Sequence, residues 1–343
     1  MRSLKGLIFF VVLIIITSCG KNQYKVDISR IQYDVDLKRL ETDLFELDPA
    51  LPSVRLDELH NKYGEILQLF SYVIDAGDIH VTGWQNKLRA FLTDKNNFEI
   101  YSKTSEVFSD ITLLESDLRK AWRHFKYYFP DDQPPEIFTF ISAFRNSIII
   151  GESVLGIGLD RYLGERSNYY PMIGLYGYQV RKMIPEKIVS DCMYAWALAT
   201  WPADENIDRE RNLIESMIYE GKLLYFTKCM LPNESDSLLF GFTGIQMEFC
   251  ESNEDLMWEY LLENDMLFST DPMTIKKLTG EAPFTGYFSN ESPGRAAVWL
   301  GFKIAESYMI RNREVTLNEL MEMDDYQLIL EGARYSPSGG RRK

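Results

Sequence analysis

The sequence predicts an α+β fold: one predominantly helical domain with a small antiparallel sheet. Three observations predict it. Through most of the chain apolar residues recur three and four positions apart, the period of a helix with one buried face. Two neighbouring stretches, Glu136–Ser142 and Asn146–Leu159, break that rhythm; they are rich in Ile, Phe and Val and punctuated by Gly151, Gly156 and Gly158, the pattern of short strands. No internal repeat and no heptad run occurs, so neither a solenoid nor a coiled coil is expected.

Residues 1–18 read as a signal peptide. Arg2 and Lys5 precede an apolar run from Leu7 to Ile16, then the small residues Thr17 and Ser18. The run is too short to span a bilayer, which takes roughly 20 residues. Cys19 at the cleavage point turns this leader into a lipobox. Ile16-Thr17-Ser18-Cys19 resembles the bacterial lipoprotein consensus, which implies cleavage before Cys19 and its modification with acyl chains such as palmitate. Several chains anchor a protein to a bilayer where one does not. Residues 19–25 are then a lipidated tether and 26–335 the folded domain.

Within that domain, Val26, Ile28, Ile31, Tyr33, Val35 and Leu37 alternate as in a strand, and the segment ends at Pro49. Leu59, Tyr63, Ile66, Phe70 and Val73 predict a helix over 53–75, a second follows at 83–93, and a third runs over 99–127 until Pro134-Pro135. After the predicted sheet and an aromatic loop at Tyr169-Tyr170, helices are expected at 184–199, 209–228, 253–265, 294–310, 316–322 and 325–332. Ser292-Pro293 looks like the cap and first residue of the 294–310 helix. The tail 336–343, rich in Gly and Arg, is expected to be disordered.

Composition limits the function. Without its leader the chain carries 35 basic and 51 acidic residues, a net charge of −16. That excludes nucleic acid as a partner, since phosphate binding needs a basic face, and leaves membrane attachment to the acyl chains. Cys192, Cys229 and Cys250 are too few and too widely spaced for a disulfide scaffold; Cys229 with Cys250 is the pair to expect if one forms. The three histidines, His60, His80 and His124, form no HExxH, and there is no nucleophile elbow, P-loop or dinucleotide fingerprint. The expectation is a protein that is not an enzyme, with no metal and no cofactor.

Two acids stand out by period. Asp191 interrupts the stripe Ile184, Ile188, Ala195, Leu198, and Glu220 interrupts Leu213, Met217, Leu224. A carboxylate facing a core needs a partner. Candidate partners are Arg145, Arg161, Arg181 and Lys222. Either each acid is a structural ion pair, or Asp191, Glu220, Arg181, Lys222 and Asp160 line one buried polar pocket. Glu215, Tyr219 and Lys222 lie on the next face and are expected to form a solvated or loop-covered strip.

Several stretches, in order along the chain, resemble the gliding-motility lipoprotein B family of Bacteroidota: Val26-Asp-Ile-Ser29, Arg39-Leu-Glu-Thr-Asp-Leu-Phe45, Gly158-Leu-Asp-Arg-Tyr-Leu-Gly164, Met217-Ile-Tyr-Glu-Gly-Lys222, Glu291-Ser-Pro-Gly-Arg295, Trp299-Leu-Gly301 and Tyr335-Ser-Pro337. The resemblance implies an envelope lipoprotein grouped with the gliding and secretion apparatus, with protein partners there and no established enzymatic activity. A more distant similarity is to zincin-like metallopeptidases, in a degenerate form: Glu220-Gly221 sits where such enzymes place a third metal ligand, but the preceding helix reads Ser190-Asp-Cys-Met-Tyr194 and has no histidine.

Three functional readings follow. The first is a non-catalytic envelope lipoprotein supporting motility or secretion. The second is a carboxylate-based hydrolase, with or without a metal, at Asp191 and Glu220. The third is a small-ligand or peptide-binding lipoprotein with a pocket near Gly158–Gly164 and Arg181. Gly20 after the lipid cysteine, in place of Asp, and the absence of acidic residues in 21–25 favour the outer membrane facing the periplasm over the inner membrane or the cell surface.

Overall fold

The computed structural model describes residues 22–47, 53–203 and 211–337. The leader, Cys19, Pro49, the start of the 209–228 helix and residues 338–343 lie outside them. The described part is α+β, with many helices around a four-stranded sheet. The sheet contains β1 (Leu37–Arg39), β2 (Glu136–Phe140), β3 (Ile148–Ile150) and β4 (Val154–Gly158) in the order β1-β2-β4-β3. It is mixed rather than antiparallel: β1 and β4 run parallel to β2, and only the β3–β4 pair is antiparallel. The chain reverses after β2 and again after β3, so β4 returns in the direction of β2 and slots beside it.

Both faces of this sheet are covered. Leu37, Ile137, Leu155 and Ile157 point into the larger core, with the C-terminal helices. Phe138, Phe140, Ile149 and Val154 point into a smaller core built by the N-terminal helices around Ile66, Leu67 and Phe70. Burial on both sides explains why these strands read as nearly unbroken apolar runs. The alternation at Val26–Leu37 is present in burial, since Val35 and Leu37 are buried and Asp36 is exposed, but only Leu37–Arg39 finds a ladder partner. Periodicity reports which face is covered, not whether a neighbouring strand is available.

Two of the long helices expected from periodicity are broken. The 53–75 segment divides at Gly64, whose φ of 46° ends the Ser53–Tyr63 helix before Glu65–Val73 begins. The 99–127 segment is two helices, Lys95–Val107 and Thr112–Tyr128, and Asp110 accepts the Thr112 amide between them at 2.8 Å. Short helices at Asp236–Phe240, Gly244–Ser252 and Pro272–Thr279 were not expected. Ser292-Pro293 does not start a helix. Ser292 Oγ accepts the Thr285 amide, and the Thr285 hydroxyl in turn accepts the first amide of the Ala296–Arg311 helix at 3.0 Å, so the cap comes from eleven residues upstream.

The centre of the larger core is the crossing of Leu213–Met230 with Ala296–Arg311, the most extensive helix pairing among the described residues. The first of these opens on a capping box between Asn212 and Glu215 and is buried on nearly every side. The helices touch backbone to backbone. A Cβ added at Gly301 would lie 1.8 Å from the Met217 carbonyl oxygen, and one at Gly221 would lie 2.2 Å from the Gly301 carbonyl carbon. Cys192, Cys229 and Cys250 are buried here as free thiols, so the Cys229–Cys250 disulfide is not formed. Burial holds all three above the ordinary thiol pKa. The chain is already docked at residue 22: Asn22 donates to the Pro232 carbonyl, and the buried Tyr24 donates to Glu306. No helix among the described residues is long and apolar enough to cross a membrane.

Candidate functional site

The site grows from the start of the Ile188–Thr200 helix. A 3₁₀ turn, Pro185–Lys187, leads into it and places Lys187 one helical turn before Asp191. Lys187 is buried. Its ammonium is 2.9 Å from Asp191 Oδ1 and also donates to Ser190 Oγ and the Leu239 carbonyl. The other oxygen of Asp191 accepts from Tyr162 Oη at 2.9 Å. Both oxygens of the carboxylate are therefore engaged.

Glu220 is held separately. Arg295 Nη2 lies 2.8 Å from its Oε2, and Tyr194 donates to the same oxygen. Arg295 sits at φ 62°, immediately before the Ala296–Arg311 helix, and this left-handed turn precedes the helix that crosses at Gly301. Its Nη1 reaches Glu281 Oε1 at 3.1 Å, and Glu281 also pairs with Lys182. Burial pushes the Glu281 carboxyl up, but Lys182 and Arg295 together outweigh it and hold its pKa below the usual value. Burial pushes the Tyr194 hydroxyl well above its ordinary value, so it stays a donor to Glu220.

These groups surround an open cleft of about 360 Å³. Arg161, Lys182, Lys187 and Arg295 bring cations to its wall, Asp191 and Glu281 bring anions, and Met183, Leu224, Leu239 and Phe240 supply apolar surface. Of the five residues grouped in the sequence, only Asp191 lines it. Glu220 touches it through Arg295. Arg181 is exposed and faces a neighbouring recess with Ser235 and Ser237. Lys222 is buried elsewhere: its ammonium donates to the carbonyls of Met321 and Met323, and burial lowers its pKa to about 8. The Glu215–Tyr219–Lys222 face is thus covered rather than solvated, with Tyr219 donating to the Trp201 carbonyl. Asp160 is fully buried and accepts from the backbone amides of Ser142 (3.2 Å) and Phe144 (2.6 Å). It clamps the reversal between β2 and β3, where Ala143 and Phe144 both have positive φ.

None of the four expected partners holds either acid. Arg145 pairs with Asp75, and Arg161 donates to the Phe144 carbonyl. The true partners carried signals of their own. Lys187 stands four residues before Asp191, the ion-pair spacing of a helix. Arg295 closes the Glu291–Arg295 stretch, but 75 residues of sequence separate it from Glu220. Two histidines far apart in sequence also meet: the rings of His60 and His80 lie 5.4 Å apart on the surface. Among the described residues no group of three His, Cys, Asp or Glu side chains is placed to hold a metal ion. The position compared with a zincin ligand, Glu220, is occupied by a guanidinium and a phenol.

The comparisons with known proteins divide sharply in extent. An alignment 205 positions long, covering 51% of this chain, shows 23% identity to 3-deoxy-manno-octulosonate cytidylyltransferase of Rickettsia typhi (strain ATCC VR-144 / Wilmington) and covers 83% of that protein. No solved structure matches the chain. The family model for gliding motility protein GldB matches residues 21–337, nearly the whole chain, and spans the sheet, the Gly221–Gly301 crossing and the Glu220–Arg295 pair. The chain belongs to the gliding motility protein GldB family.

Proposed function

We propose that this protein is a lipid-anchored component of the cell envelope, held at the outer membrane facing the periplasm through Cys19, that supports the gliding or secretion machinery by binding its components and not by catalysis. The family supports the setting. The lipobox Ile16-Thr17-Ser18-Cys19 supports the anchor. The single observation that carries the non-catalytic reading is the separate pairing of Asp191 with Lys187 and of Glu220 with Arg295. A hydrolase built on these two acids needs them free to exchange protons or bind a metal, and each is instead neutralised by its own cation.

Genetic complementation tests the reading. A strain lacking the gene is expected to lose colony spreading, protein secretion or envelope integrity. The wild-type gene restores the phenotype, and Cys19→Ser fails to restore it although the variant accumulates. An intact phenotype in the deletion strain, or full rescue by Cys19→Ser, contradicts the proposal.

A further inference from the structure

The segment that follows Cys19 is pinned beside a groove. Asn22 donates to the Pro232 carbonyl at 2.7 Å, and Gln23 and Tyr24 both donate to Glu306 Oε1, at 3.0 and 2.5 Å. Tyr24 is buried, with its ring 5.5 Å from that of Tyr225. The chain is thus part of the fold from residue 22 onward. The other oxygen of Glu306 pairs with Lys303, and both residues line an open groove of about 710 Å³. The groove therefore begins where the pinned segment ends.

Tether length decides which face meets the bilayer. Cys19 and Asn22 are three residues apart, at most about 10 Å of extended chain. A globule of this size has a radius of gyration of about 20 Å. Held so closely to its acyl chains, it cannot hang clear of the surface or turn its opposite end toward it. That opposite end is identifiable. Inward from the groove come the Ala296–Arg311 helix, the Leu213–Met230 helix, the Ile188–Thr200 helix, the sheet, and last the smaller core.

The groove has the charges for a head-group contact. Arg311 and Arg334 are exposed on its wall, and neither has an ion pair among the described residues. Glu251 and Asp255 stand on the same wall and have none either. Cations and carboxylates are nearly balanced here, so a lone anion or cation meets as much repulsion as attraction. A phosphodiester that carries its own ammonium meets both sets, and Ile310 adds exposed apolar surface beside them.

We propose that this groove lies against the bilayer and takes zwitterionic phospholipid head groups, with the smaller core turned away from the membrane. The inference rests on reading Cys19 as the lipid anchor, and it adds the surface through which the folded domain meets the lipid.

The test uses full-length acylated protein in phosphatidylcholine vesicles that contain a lipid with a nitroxide on its head group. Cys192, Cys229 and Cys250 are buried, so a thiol-reactive fluorophore marks an introduced cysteine: Ser252→Cys in the groove, or Lys87→Cys on the Trp84–Thr93 helix of the smaller core. The Ser252→Cys label is expected to be quenched severalfold more than the Lys87→Cys label. A second pair of proteins carries a flexible Gly-Ser insert after Gly20, about 20 residues long and about 25 Å in reach. The longer chain is expected to keep part of the quenching in the groove, and Arg311→Glu with Arg334→Glu to remove it. Equal quenching of the two labels in protein that sediments with vesicles overturns the inference and leaves the anchor standing. So does a longer chain whose groove label is not quenched, or is quenched equally after the charge reversal. Protein that stays in the supernatant overturns the anchor, and the inference with it.

Discussion

Gly301→Ala is expected to destabilise the protein by about 3 kcal/mol or more, although alanine is the better helix former. In an exposed helix the substitution would gain about 1 kcal/mol. Here the new methyl would meet the Met217 carbonyl oxygen at 1.8 Å, with its carbon at 2.4 Å. These are backbone atoms, so no side-chain rotation relieves the clash and the two helices must separate. Overpacking of a tight core typically costs about 1–3 kcal/mol when side chains can adjust, and more when they cannot. Gly221→Ala meets the same crossing from the other side and is expected to act in the same direction. Gly244→Ala is the control, because nothing lies within 4 Å of a Cβ there. Urea unfolding of the three variants checks this. A Gly301→Ala midpoint equal to wild type contradicts the backbone contact.

Asp160→Leu is expected to cost about 2–5 kcal/mol. It strands the buried amides of Ser142 and Phe144, each worth about 1–3 kcal/mol when left unsatisfied. It also releases a turn that holds Ala143 and Phe144 at φ 56° and 67°, where side chains are strained. Asp160→Asn keeps an acceptor and isolates the effect of charge. Burial raises the Asp160 pKa from 3.8 to about 6. The folded state therefore binds more protons than the unfolded state between those values. The stability from the protonated carboxyl is fully present below about pH 4 and is lost as pH rises through about 6. Relative to Asp160→Asn, wild type should lose about 3 kcal/mol between about pH 4 and pH 7, because each tenfold gain in proton affinity on folding is worth about 1.4 kcal/mol. A pH-independent difference between the two proteins would show that the carboxylate is solvated.

The class of the fold was legible because burial follows period. The helices at 83–93, 253–265 and 316–322 and the apolar strands all carry one clear rhythm. The breaks at Gly64 and Ser109-Asp110 were harder, since the apolar stripe continues across both and only the backbone turns. Strand direction was not legible either: residues 136–158 read equally as a hairpin or as three short strands, and nothing in them says that the middle of the three takes the sheet edge. Stripe reasoning singled out Glu220 for a reason that does not hold. The Leu213–Met230 helix is buried on almost every face, so no face of it is diagnostic. The acid matters because Arg295 meets it. That contact joins two of the stretches through which the chain resembles its family, Met217–Lys222 and Glu291–Arg295. Gly221 and Gly301 add a third, Trp299–Gly301. Residues that looked like scattered motifs are one helix crossing with its ion pair. Tertiary proximity of this kind leaves no trace in the periodicity of either segment.

The lipid anchor is the claim on which the functional account depends, and metabolic labelling with radioactive palmitate tests it most directly. Cells making the wild-type protein should yield a labelled band that sediments with membranes. Cys19→Ser should carry no label, keep its leader and migrate as the longer precursor. A wild-type band without label, or a Cys19→Ser band labelled and sedimenting like wild type, would contradict the account.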